Sequence, residues 1–73
     1  MEIMEPRKGM EVVLVCPPGV YHGCVGECFV YDIKQSDECG TSVLLENIRT
    51  HKRTLWLRWE GCIKSKVIRP RLR

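Results

Sequence analysis

Short runs of hydrophobic residues, separated by glycine, proline and polar residues, predict a series of β-strands along this chain. The first strand, residues 12–16, contains three valines in five positions, and β-branched side chains fit a pleated surface. Pro17 and Pro18 end this strand because neither residue can donate a hydrogen bond to a neighbouring strand. The second strand covers about residues 25–33, and its side chains alternate between two faces. One face carries Val25, Phe29, Tyr31 and Ile33, and the other carries Gly26, Cys28, Val30 and Asp32.

The second half of the chain predicts three more strands. The third covers residues 41–46, with Val43 and Leu45 pointing inward. The fourth covers residues 54–59, and the fifth covers residues 66–69 after one helical turn at residues 60–63. The connections at 34–40 and 47–53 are polar and typical of turns. In the fourth strand, Leu55, Leu57 and Trp59 share one face, and Thr54, Trp56 and Arg58 share the other.

This order of elements predicts an all-β fold, a small five-stranded SH3-like barrel with one short helical turn before the last strand. Closing the sheet limits the strand edges that a small β-protein would otherwise expose. We expect residues 1–8 to be a flexible N-terminus, residues 9–70 to form the barrel, and residues 71–73 to be a basic tail. A single domain is consistent with 73 residues, of which 44% are hydrophobic.

A helix is the alternative for residues 42–60. Four hydrophobic side chains there would fall within about 60° of arc on a helix. Against the helix, Val43 and Leu57 would point into water, and Thr50 and Thr54 are poor helix formers. The four side chains on the shared arc are Leu44, Ile48, Leu55 and Trp59.

The segment from Lys8 to Ile33 resembles the KOW motif of ribosomal and transcription-elongation proteins. The residues that carry the resemblance are Lys8, Gly9, Val12, Val15, Gly19, Gly23 and Gly26. The chain departs from the motif at Pro17 and Pro18, and at Cys28, where a valine is usual. The resemblance implies an SH3-like or Tudor-like barrel. In layout the chain is also similar to small SH3-like subunits on the soluble face of photosynthetic complexes.

The charged residues are distributed unevenly along the sequence, although the net charge is only +3. Residues 1–48 carry three basic and eight acidic side chains, a net charge of −5. Residues 49–73 carry nine basic side chains and one acidic, a net charge of +8. Such a split predicts a directional electrostatic field. The alternative is that the fold interleaves the two halves, so that their fields partly cancel.

The basic half of the chain favours binding to RNA or DNA, because phosphates attract guanidinium and ammonium groups. Aromatic residues would add stacking surfaces for unpaired bases. Trp56 is the sharpest candidate because it points away from Leu55 and Leu57. The alternatives are that Trp56 is half-buried and covers the end of the barrel, and that the cations form a solvated face. The candidate binding residues are Tyr21, Tyr31, Arg49, Lys52, Arg53, Trp56, Arg58, Lys64, Lys66, Arg69 and Arg71.

The five cysteines favour a reducing compartment, cytoplasmic or inside an organelle. An odd number of cysteines without a secretory signal argues against a disulfide framework. Cys16 and Cys28 lie in apolar runs and are expected to pack as small hydrophobic residues. No apolar run approaches the roughly 18 residues that would span a bilayer.

We expect neither a metal site nor a catalytic site. His22, Cys24 and Cys28 lack the close pairing of structural zinc sites, even with Cys16 or Cys39 as a fourth ligand. On an extended strand Cys24 and Cys28 would lie about 13 Å apart. Cys24 beside His22 is the only candidate nucleophile, and no oxyanion donor or second base accompanies it.

The sequence therefore predicts a non-enzymatic binding module without a cofactor. Its leading partner is RNA or DNA, contacted through the basic C-terminal half. The alternative is docking to an acidic protein surface, as an adaptor or a small accessory subunit of a larger complex, since charge alone does not separate phosphate from carboxylate partners.

Overall fold

The structure, a computed structural model, describes residues 5–15, 23–38 and 40–70. Five strands and one short helix follow one another along the chain. The five strands form one antiparallel sheet in the order β4-β3-β2-β1-β5, which curls into a half-barrel. The elements are β1 (Glu11–Leu14), β2 (Gly26–Ser36), β3 (Gly40–Asn47), β4 (Leu57–Arg58), α1 (Trp59–Lys64) and β5 (Ile68–Pro70).

The predicted all-β class, with five strands and a short helix before the last, is confirmed. The alternative helix over residues 42–60 is wrong, because β3 occupies residues 40–47 and pairs with β2 along its length. The predicted hairpin loop at 34–40 is shorter than expected, since β2 continues to Ser36 and β3 begins at Gly40. Pro17, Pro18, Gly19 and the basic tail at 71–73 lie outside the described residues.

The inner face of the sheet forms the core because inward side chains of neighbouring strands lie opposite one another. Val12 pairs with Cys28, and Val30 pairs with Leu45. The predicted inward orientation of Val43 and Leu45 is confirmed, as is the packing of Cys28 as a buried hydrophobic residue. The buried hydrophobic residues are Val12, Leu14, Cys24, Cys28, Val30, Val43, Leu45, Trp59 and Ile68.

A β-bulge in β2 changes the alternation that the sequence predicts there. The register against β3 shifts between Val30 and Asp32, so Tyr31 has no partner of its own. Because the extra residue restarts the alternation, Ile33 pairs with the inward Val43 and packs against the core. Tyr31 remains exposed. Ile33 and Tyr31 therefore lie on different faces, in contrast to the sequence prediction.

The fourth strand is much shorter than the predicted strand at 54–59. The hydroxyl of Thr54 accepts a hydrogen bond from the backbone N–H of Leu45 at 3.1 Å, and its own N–H donates to the Leu45 carbonyl at 2.8 Å. Thr54 is buried and Leu55 is 66% exposed, so Leu55 does not share the buried face of Trp59 that the predicted alternation gives it. Regular pairing resumes only where Leu57 meets Val43.

The short helix connects the two edge strands of the sheet. Trp59 at its start is buried in the core. The helix ends in a Schellman motif. The backbone N–H of Val67 donates to the carbonyl of Cys62, and that of Lys66 donates to the carbonyl of Ile63. Lys66 takes a left-handed conformation with φ of 60°. Within the described residues, no helix is long and apolar enough to cross a membrane.

Candidate functional site

The turn after β3 is built around the side chain of Asn47. Its Oδ1 accepts hydrogen bonds from the backbone N–H groups of Arg49 at 2.8 Å and Thr50 at 2.9 Å. The N–H of His51 donates to the Asn47 carbonyl, and His51 takes a φ of 61°. Asparagine favours such turns because its short side chain can bond to the backbone two or three residues later. The turn is thereby fixed in one conformation.

The same asparagine attaches this turn to the segment that leads into β2. Its Nδ2 donates to the carbonyls of Cys24 at 3.1 Å and Val25 at 3.0 Å. The hydroxyl of Thr50 donates to the carbonyl of Gly23 at 2.6 Å. The stem of Lys52 covers Gly23 so closely that a Cβ there would lie 2.5 Å from the Lys52 Cδ. The turn thus lies against residues that directly follow Tyr21 and His22 in the sequence.

Residues 48–58, which we call the basic connection, run from the end of β3 through β4. The segment holds four of the candidate cations and no acidic residue, so its formal charge is +4 with His51 neutral. It also carries three exposed hydrophobic side chains, Ile48 at 39%, Leu55 at 66% and Trp56 at 45% exposure. The cations are Arg49, Lys52, Arg53 and Arg58.

Arg53 joins the basic connection to the outer face of the sheet. Its Nε donates to Oε1 of Glu46 at 2.8 Å, and its guanidinium carbon lies 3.7 Å from the centre of the Tyr31 ring. The hydrogen bond to Glu46 raises the pKa of Arg53. The other oxygen of Glu46, Oε2, lies 3.9 Å from Nδ1 of His51. Tyr31, a candidate from a different strand, is thereby brought to the basic connection.

The remaining candidate cations lie on other elements. Lys64 is on α1, where its Nζ lies 2.9 Å from Oε1 of Glu60 and lowers the pKa of that carboxyl. Lys66 is at the C-terminal end of this helix, and Arg69 is on β5 opposite Val13. Tyr21 and Arg71 lie outside the described residues. Five of the eleven candidates therefore lie in the basic connection, and a sixth, Tyr31, contacts it through Arg53.

The buried cysteines are closer together than the sequence indicates. The thiol of Cys28 donates to the carbonyl of Cys24 at 3.0 Å, because Cys24 precedes the strand in a helical turn rather than extending it. The separation of about 13 Å expected on an extended strand therefore does not apply, because Cys24 lies in a turn before the strand. Burial raises the pKa of both thiols, that of Cys28 to about 11 with a contribution from Cys24. Both are consequently protonated near neutral pH.

Protonated, buried thiols are poor nucleophiles and poor metal ligands. Across residues 5–15, 23–38 and 40–70, no cluster of three or more histidine, cysteine, aspartate or glutamate side chains is placed to hold a metal ion. The other candidate ligands, Cys16, His22 and Cys39, lie outside these ranges.

Asn47 and Thr50 hold the site together, and the sequence prediction did not identify them. Both were assigned only to a polar connection. An asparagine at the end of a strand, followed three residues later by a threonine, is the sequence feature that could have identified them. Such side chains form hydrogen bonds to the backbone of turns. Their distant partners, Gly23 and Cys24, follow from the tertiary fold alone. Comparisons of the chain with protein-family models, curated proteins and solved structures find no match.

Proposed function

We propose that this chain is a non-enzymatic binding module that binds single-stranded RNA or DNA through the basic connection. The observation that carries the proposal is the combination of a +4 segment with an exposed tryptophan at residue 56. Asn47 and Thr50 hold the beginning of that segment by hydrogen bonds to residues 23–25. A fixed turn loses less conformational entropy when it binds a ligand than a loose loop does.

Each group of the segment has a distinct role in the proposed complex. Arg49, Lys52 and Arg58 attract the phosphates and release their counterions, which supplies affinity without sequence preference. Trp56 provides a face for an unpaired base, a contact worth about 1–3 kcal/mol. A base inside a duplex does not offer its face, so we expect single strands to be preferred. The resemblance of residues 8–33 to KOW barrels supports the same class of partner.

A second candidate function, docking to an acidic protein surface, is favoured by the exposure of Leu55. An aliphatic side chain that is 66% exposed adds little to contacts with a polyanion, whereas an apolar anchor beside an aromatic residue is typical of protein interfaces. In this case the cations steer the association, and Leu55 with Trp56 supplies the affinity.

Fluorescence anisotropy with labelled 12-nucleotide single strands and a matching duplex, from 20 to 300 mM NaCl, tests the proposal. We expect binding to single strands that weakens with salt. Arg49→Gln should reduce the salt slope by about one, as expected for one lost phosphate contact. Trp56→Ala should weaken binding by about tenfold while leaving the slope unchanged. Lys34→Gln is the matched control, because Lys34 is an exposed cation on β2 and is not a candidate binding residue.

Leu55→Ser separates the two candidate functions. Under the nucleic-acid proposal this variant binds oligonucleotides as the wild type does. Absence of any anisotropy change at 20 mM NaCl, for single strands and duplex alike, contradicts nucleic-acid binding and leaves the docking function. Pull-down with the wild type, but not with Leu55→Ser, should then recover one acidic partner.

A further inference from the structure

A glutamate beside the basic connection interacts with two of its residues. The side chain of Glu46 is only 14% exposed, and its two oxygens face Arg53 at 2.8 Å and His51 at 3.9 Å. It comes from β3, where it forms an isolated bridge with Arg53, and it lies opposite Phe29 of β2. A negative charge in this position opposes the binding of any anion if it acts only through its charge. Its geometry indicates a different role.

Two contacts orient the guanidinium of Arg53. Its Nε donates to Oε1 of Glu46 at 2.8 Å, and its guanidinium carbon lies over the Tyr31 ring, 3.7 Å from the ring centre. The Tyr31 ring is itself steadied by Phe29, with 6.5 Å between ring centres. Half of the Arg53 side chain nevertheless stays exposed, at 49%. Arginine on a flexible stem pays rotamer entropy when it binds an anion, and an arginine that is already oriented does not.

We propose that Arg53 is a preorganised receptor for one phosphodiester group, and that Glu46 and Tyr31 position it. The inference rests on the proposed function, for which it names the group that contacts the backbone of the nucleic acid. With Nε engaged by Glu46, the phosphate meets the terminal Nη1 and Nη2 groups, which together form a planar fork that matches two phosphate oxygens. Glu46 is a positioning residue and does not touch the ligand.

The substitution Glu46→Gln tests this assignment because the two roles of Glu46 predict opposite results. If the carboxylate acts only through its charge, its removal tightens the binding of a single-stranded oligonucleotide. If it positions Arg53, the variant binds about three- to tenfold more weakly, since a neutral amide holds the guanidinium less firmly. Glu60→Gln is the matched control: Glu60 also pairs with a cation, Lys64, but on the helix. This control should leave affinity unchanged or slightly raise it.

Arg53→Lys provides a second measurement that does not depend on Glu46. Lysine keeps the charge but has neither the fork nor the planar group that stacks on Tyr31. We expect affinity to fall by about tenfold with the salt slope unchanged. Arg53→Gln should lower affinity further and reduce the slope by about one. Circular dichroism and thermal unfolding of each variant confirm that it is folded before its binding is measured.

The results separate this inference from the proposed function. If the wild type binds oligonucleotides, and Glu46→Gln binds more tightly or Arg53→Lys binds equally well, Arg53 is not a preorganised receptor, although the module still binds nucleic acid. If the wild type itself does not bind, the proposed function fails. Weaker binding of both variants, with the Glu60→Gln control unaffected, supports the assignment.

Discussion

At the scale of single residues, Asn47 contributes more to the fold than its sequence context indicates. It is buried at the end of β3, and its side chain makes four hydrogen bonds to backbone groups of residues 24, 25, 49 and 50. A buried amide with all of these groups satisfied stabilises one arrangement of the chain, whereas a half-satisfied one is costly. Asn47 therefore couples the conformation of the basic connection to the stability of the sheet.

Replacement of Asn47 by alanine should lower the free energy of unfolding by about 2–4 kcal/mol. The loss arises because two carbonyls and two N–H groups lose their partners near the core. Asn47→Asp keeps the acceptor Oδ1 but places a buried carboxylate oxygen against the carbonyls of Cys24 and Val25, so we expect a loss at least as large at neutral pH. Urea unfolding monitored by circular dichroism measures both. Gln35→Ala on the exposed end of β2 is the control, and an equal stability of Asn47→Ala and this control would contradict the role of Asn47.

At the scale of elements, the sequence predicts where the strands lie, but not in every case which of their side chains face the core. The predicted inward orientation of Val43 and Leu45 is correct, because alternation is unambiguous where a strand has one buried face. Ile33 packs against the core although the alternation groups it with Tyr31, and Leu55 is exposed although the alternation groups it with Leu57 and Trp59. The first depends on a bulge, and the second on a threonine hydroxyl that replaces a backbone partner. Both features depend on contacts between distant parts of the chain, so the spacing of hydrophobic residues in the sequence does not predict them.

The end of α1 offers a test of local strain at this scale. Lys66 occupies the left-handed position of the Schellman motif, where a side chain costs about 1 kcal/mol relative to glycine. Lys66→Gly should therefore raise the free energy of unfolding by about 0.5–1 kcal/mol. The neighbouring Ser65 has a φ of −82°, and its hydroxyl donates to the carbonyl of Gly61.

Ser65→Gly is accordingly the matched control for that substitution. Glycine relieves no strain at a negative φ, and the variant also loses the hydrogen bond to Gly61, so it should be destabilised. Thermal unfolding of the two variants compares them directly. A lower melting temperature for Lys66→Gly than for the wild type would show that the lysine stem contributes more through its own contacts than the strained backbone costs.

At the scale of the whole molecule, strand pairing partly neutralises the charge split of the sequence. Glu46 of the acidic half lies beside Arg53 of the basic half, whereas the pairs Lys8–Asp32 and Glu60–Lys64 each join two residues of the same half. Because Lys8 and Asp32 are 24 positions apart in the chain, their approach depends on the sheet register rather than on local sequence. The two halves interleave in the sheet, because β4 and β5 of the basic half pair with β3 and β1 of the acidic half, while residues 48–58 keep their charge of +4.

These ion pairs make the stability of the molecule dependent on pH in the acidic range. Asp32 has a lowered pKa, chiefly because the N–H of Ile33 donates to its Oδ1 at 2.8 Å, with Lys8 contributing. Glu60 has a lowered pKa because of Lys64. A carboxyl with a lowered pKa in the folded state binds protons more readily when unfolded. The contribution of these two carboxyls to stability is thus fully present at pH values above their ordinary pKa values of 3.8 and 4.5. It is lost as the pH falls through their lower pKa values in the folded state.

We expect the double variant Asp32→Asn, Glu60→Gln to lose less stability than the wild type between pH 6 and pH 3. Salt separates the two carboxyls, because 1 M NaCl screens the exposed Glu60–Lys64 pair but does not remove the short hydrogen bond from Ile33 to Asp32. Urea midpoints at both pH values, in 0.1 and 1 M NaCl, provide the measurement. In high salt Asp32→Asn alone should retain most of its effect, and Glu60→Gln alone should lose its own. Parallel declines for the wild type and the double variant would mean that other carboxyls govern the acid sensitivity.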